Sequence, residues 1–113
     1  MSIKQGKLVL AKQTATDETE SLEWDLSGVP ESDLMNIEYF VVNAEASAVP
    51  TTGTLSVLVR FIGFTSYQSI GEIDLTDPIA KECTIVGING VKVTPSNLDA
   101  DKVYSASVYI KDK

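Results

Sequence analysis

Thr54-Leu-Ser-Val-Leu-Val-Arg-Phe-Ile62 is the stretch whose reading decides the fold of this chain. Leu55, Val57, Val59 and Phe61 fall on one face and Ser56, Leu58, Arg60 and Ile62 on the other, which is the period of two that a pleated strand imposes. One face is apolar throughout and the other mixed, as in a sheet packed on one side and partly solvated on the other.

Toward the C-terminus the same pattern recurs at short intervals. Residues 63–69 set Phe64 and Tyr67 among small polar side chains, which predicts a loop that presents aromatics to a partner. The plainer alternative is that the two rings fold back over the open end of a sandwich. Residues 70–75 and 79–88 read as strands separated by Thr76-Asp77-Pro78, a turn initiator. Asn89-Gly90, set between apolar runs, predicts a two-residue type I′ hairpin, a turn that needs φ above zero at both positions. Residues 95–102 read as a loop. The closing strand covers 103–111, with Tyr104, Ala106, Val108 and Ile110 alternating against Ser105, Ser107 and Tyr109.

Toward the N-terminus, residues 44–53 carry Pro50 and Gly53 and predict a hairpin-type connection. Residues 35–43 read as a strand with Ile37, Tyr39 and Val41 on one face and Phe40 and Val42 on the other. Apolar residues on both faces imply a central strand, or one whose outer face a partner covers. Gly28 and Pro30 mark a turn over 27–33, and any helical turn starting at Ser32 or Asp33 is too short to matter. Leu22, Trp24 and Leu26 alternate with Glu23 and Asp25, which predicts a strand with Trp24 in the core. Residues 14–20 lack an apolar anchor and read as a loop, and 6–13 as a first short strand after a polar start. The sum is about eight strands at the spacing of an all-β antiparallel sandwich, jelly-roll or immunoglobulin-like. At 113 residues it makes one domain spanning 1–113.

Composition narrows function. No histidine is present, which removes the commonest general base, the commonest metal ligand and the usual serine or cysteine triads. Cys83 is the single cysteine and lies in an apolar run, the setting of a buried small hydrophobe rather than a nucleophile. Nine Lys and Arg against sixteen Asp and Glu, a net charge of −7, argue against binding nucleic acid through its phosphates. No apolar stretch approaches a membrane span and residues 1–10 carry no signal h-region, so the expectation is a chain made and kept in the cytosol unless exported another way.

Asn97, Asp99 and Asp101 put oxygen side chains at alternate positions, like the opening of a calcium loop, but the glycine and glutamate such a loop needs are missing. An acidic connecting loop is the reading, and no metal or cofactor is expected. Glu23 with Asp25, and Asp74 with Asp77, are near in sequence but fall on exposed strand faces or turns, so no glycosidase pair and no enzyme is expected. A carbohydrate-binding module is the competing reading; it asks that two or three of Tyr39, Phe64, Tyr67, Tyr104 and Tyr109 lie coplanar on one exposed face.

The C-terminal half, from Ile70-Gly-Glu-Ile-Asp-Leu-Thr-Asp-Pro78 through Gly87-Ile-Asn-Gly-Val-Lys-Val-Thr-Pro95 to Val103-Tyr-Ser-Ala-Ser-Val-Tyr-Ile110, resembles the small all-β structural proteins of tailed bacteriophages. Those carry a Val-x-Val-Thr-Pro strand and a terminal Tyr-Ser-x-Ser-Val strand. The resemblance implies a non-enzymatic virion accessory protein, such as a capsid decoration, head-fibre or tail-associated protein. It would be assembled in the host cytoplasm, associate with itself, for instance as a trimer, and bind other virion proteins by adhesion. The candidate contact residues are Tyr39, Phe40 and Val42 in the two-faced strand and Phe64 and Tyr67 in the loop after the central strand.

Overall fold

In the computed structural model, which describes residues 8–84 and 86–112, the strands are β1 (Leu8–Thr14), β2 (Leu22–Asp25), β3 (Ile37–Ala46), β4 (Thr54–Phe61), β5 (Gln68–Asp74), β6 (Lys81–Cys83), β7 (Ile88–Ser96) and β8 (Tyr104–Asp112). The predicted starts at Gly6 and Lys7, and Ile85 of the predicted strand over 79–88, lie outside the described residues. A five-residue helix, α1 (Glu31–Met35), precedes β3. Two antiparallel sheets of four face each other, in the orders β1-β8-β3-β6 and β2-β7-β4-β5. Those orders settle the topology as a jelly roll, in which the chain passes back and forth between two sheets, and not the immunoglobulin arrangement.

Between the sheets lies one apolar cluster, to which β4 contributes Leu55, Val57 and Val59 and β8 contributes Tyr104, Ala106, Val108 and Ile110. Trp24 is buried, as predicted, together with Leu22 and Leu26. The Tyr104 ring is buried, and its hydroxyl donates to the Glu20 carbonyl at 2.7 Å, so its polar tip is satisfied where β8 passes under the loop before β2.

Three local expectations are corrected. Residues 44–53 do not close a hairpin: β3 and β4 lie in opposite sheets, and the one consecutive pair that shares a sheet is β4 and β5. Residues 79–88 do not form one strand. β6 is three residues long, and the chain then crosses between sheets, turning at Gly87 with φ +80°, a conformation costly for any residue with a Cβ. Asn89-Gly90 is not a turn at all. It lies inside β7, where Arg60 pairs with Gly90 and Phe61 with Ile88, so that Asn89 is the extra residue of a β-bulge.

A second bulge explains β3. Ile37 pairs with Asp112 and Tyr39 with Lys111, so the strand takes two steps against one of β8. That shift brings Ile37 onto the same face as Phe40 and Val42, and all three are fully buried, while Tyr39 and Val41 point outward and stay half-buried. The strand is flanked by β8 and β6, so the central placement is the one realised. Among the described residues no helix is long and apolar enough to cross a membrane.

Candidate functional site

The jelly roll has two ends, and they differ in chemistry. At one end meet the connections 15–21, 47–53, 75–80 and 97–103, tied by backbone bonds from Ala15 to Tyr104, Ser47 to Val103 and Leu75 to Gly53. Asp99 is the centre of this end. Its Oδ2 accepts from the Thr51 N–H and Thr51 hydroxyl and its Oδ1 from the Thr52 hydroxyl, each at 2.7 Å. These bonds, the Thr51 N–H first, hold the Asp99 carboxyl at about 2, well below the usual carboxylate range. Asn97 and Asp101 take positive φ of 57° and 66°, so they act as left-handed turn residues. The acidic loop thus serves as a connector whose central carboxylate is engaged by threonines. Asp17 with Thr19, and Asp74 with Thr76, repeat the same short tie.

At the other end meet 26–36, 62–67 and the described residues 84, 86 and 87. The Ile62 N–H donates to the Gly87 carbonyl at 2.8 Å, and the Met35 sulfur lies against Gly87. Phe64, Met35 and Val86 are 64%, 49% and 39% exposed, so three large apolar side chains face water on three adjoining connections. Val49 and Ile79 are exposed at the opposite end.

On the outer face of the β2-β7-β4-β5 sheet sits a cluster that the sequence reading missed. Arg60, only 17% exposed, donates through Nε to Asn89 Oδ1 at 2.7 Å and through Nη2 to Asp25 Oδ1 at 2.8 Å and to the Asn89 carbonyl at 3.0 Å. Tyr67 donates to Glu23 Oε2 at 2.5 Å, and its ring carries the Arg60 guanidinium at 5.3 Å and the Lys92 ammonium at 5.5 Å from the centroid. Burial, and then the bond to Glu23, raise the Tyr67 phenol above its ordinary pKa. The seat is made by Gly90: a Cβ there would stand 2.5 Å from the Tyr67 hydroxyl. A glycine inside a strand pattern signals a bulge or a close approach, and Gly90 stands next to the Asn89 bulge and makes the close approach. Glu23 and Asp25 are therefore partners of Tyr67 and Arg60, at exposed positions.

The predicted contact residues separate. Phe64 is exposed at the apolar end, Tyr67 is locked on one sheet face, and Tyr39 is half-buried on the outer face of the other sheet. Phe40 and Val42 are corrected: both are wholly buried, since alternation with Tyr39 and Val41 turns them inward into the core, away from any partner-facing surface. Of the five rings considered for a sugar platform, only Tyr39 and Tyr109 share a sheet face. Tyr104 is core, Phe64 and Tyr67 lie apart from the opposite sheet, and there Tyr39 and Tyr109 flank Val41, which pairs with Tyr109. Cys83 is buried, and burial raises its thiol pKa. A depression of about 190 Å³ lies beside the β1 bulge, bordered by Lys12, Asn43, Glu45 and Ser107, with Lys12 paired to Glu45 at 3.2 Å.

No protein-family model matches the sequence, and the search of curated proteins gives no match. Among solved structures, the chain is similar to a mitogen derived from Yersinia pseudotuberculosis, with 12% identity, 95% of this chain and 86% of that one covered, and a TM-score of 0.52. It is also similar to YomS, a protein derived from the SPBc2 prophage, with 10% identity, 91% and 95% covered, and a TM-score of 0.50. At such identities these likenesses are likenesses of fold alone.

Proposed function

We propose that this chain is a non-enzymatic structural protein of a bacteriophage particle, a head or tail accessory that works by adhesion and by association of identical copies. The observation that carries the reading is the outer face of β3 and β8. Tyr39, Val41 and Tyr109 form a half-buried apolar strip on two interior strands, positions that a sheet with a purely solvated outer face fills with polar side chains. Lys111 pairs with Glu38 at 2.7 Å at one end of the strip, and Lys12 with Glu45 lies toward the other. A surface that carries both signs beside an apolar strip is able to complement itself across a two-fold or a ring contact. The fold likeness to a prophage-derived protein supports the assignment to a particle.

Light scattering after size exclusion, at several concentrations, tests it. The expected mass is a closed multiple of 12.2 kDa, with Tyr109→Glu reduced to the monomer. A wild-type monomer at every concentration would overturn the self-association.

A further inference from the structure

We infer that the apolar end formed by Met35, Phe64 and Val86 is a docking surface for a different protein, one whose contacting surface is apolar with a rim of lysine or arginine, and that a second copy of this chain does not cover it. The inference builds on the adhesion reading above and supplies its second surface. Exposed apolar side chains scattered singly need no explanation, but here three stand on connections that touch one another through Ile62, Gly87 and Met35.

The charges around them select the partner. Within 26–36, 62–67 and 84–87 the charged residues are Glu31 and Asp33, and no lysine or arginine occurs. Both carboxylates lie in the first turn of α1, beside Met35, where the helix N-terminus favours them. Among the described residues of the flanking strands, Arg60 is engaged by Asp25 and Lys111 by Glu38. Two copies meeting end to end would set Glu31 and Asp33 against themselves, and such like-charge contacts reject a partner. A cationic rim would meet the two carboxylates while its apolar centre covered Phe64. The strip on β3 and β8 differs because it carries both signs, so the two surfaces suit different occupants.

The test is an amide-shift titration of the 15N-labelled full chain with two peptides of equal length, one alternating leucine and lysine and one alternating leucine and glutamate. The leucine-lysine peptide is expected to shift amides of 31–35, 62–67, 86 and 87, and the leucine-glutamate peptide to bind at least about tenfold more weakly. Phe64→Ser, at an exposed position, is expected to weaken binding about tenfold with unchanged melting temperature and unchanged solution mass. Glu31→Gln with Asp33→Asn should reduce the salt dependence. Equal binding of both peptides, shifts spread over the sheet faces, or an inert Phe64→Ser would overturn the inference. So would concentration-dependent shifts at these amides without peptide, which would mean that a second copy covers them. A monomeric wild type that still bound the leucine-lysine peptide here would sink only the self-association.

Discussion

The two outer sheet faces of this jelly roll treat their polar groups in opposite ways. On β2-β7-β4-β5, the face is closed on itself: Arg60 is shared by Asn89 and Asp25, Tyr67 by Glu23, and Tyr67 lies over Gly90 like a lid on a seat. On β1-β8-β3-β6, the charged pairs are peripheral and exposed, and the middle of the strand pair is Tyr39, Val41 and Tyr109. A face whose side chains satisfy one another leaves nothing for a partner to improve, whereas half-buried rings on interior strands gain by further burial. The contrast puts the internal ties of the sandwich on the first face and leaves the second as the face on which the proposed association would act.

The largest effect that sharpens this contrast comes from two adjacent residues. Phe40→Ala should destabilise by about 3–5 kcal/mol, because a fully buried ring leaves a cavity. Tyr39→Ala, one residue away on the outer face, should cost about 1 kcal/mol and shift the oligomer toward monomer. Urea midpoints with solution mass distinguish them, and equal losses at both positions would remove the distinction between core and contact side.

That pair also marks how far the sequence could be read. The period of two in β4 and β8 is enforced by burial on one side, so both strands, and the inward Trp24, were legible from their residues alone. In β3 the period is broken by the bulge between Ile37 and Tyr39, which no local signal announces, and Phe40 and Val42 then look as available as Tyr39. Asn89-Gly90 misled for a related reason. The dipeptide is a strong turn former in isolation, but here both neighbours, β2 and β4, hold it extended, and the reason for the glycine is the Tyr67 hydroxyl, which is distant in sequence. The Arg60 cluster was invisible because its members come from β2, β4, β7 and the loop before β5, and nothing in sequence spacing joins them.

Next in size is a comparison of one cation on each face. Arg60→Met removes three short bonds from a guanidinium that is mostly shielded from water, and should cost about 1.5–3 kcal/mol. Lys111→Met removes an exposed pair and should cost less than about 1 kcal/mol. If thermal melts gave similar losses, the first face would not be closed in the sense argued here. Gly90→Ala should fall between them, at about 1 kcal/mol or more, since the new methyl displaces the Tyr67 hydroxyl and with it the bond to Glu23. In a Tyr67→Ala background the same change should be nearly silent, and that non-additivity is the signature of contact.

The smallest effect is a dependence on pH that only the closed face should have. Burial, together with the bond to Glu23, raises the Tyr67 phenol above its ordinary value near 10. A group whose pKa is raised on folding contributes stability that is fully present below the unfolded value and is lost as pH rises through the folded one. Below pH ~9, wild type should therefore exceed Tyr67→Phe by a constant margin, and from about pH 10 upward that margin should shrink. Tyr104 is raised as well, but it is present in both proteins and cancels in the difference. The measurement is the melting temperature of the two proteins across the alkaline range. A margin that stayed constant to the highest pH would mean that the phenol ionises as easily folded as unfolded, and that Tyr67 rests on its sheet without being locked to it.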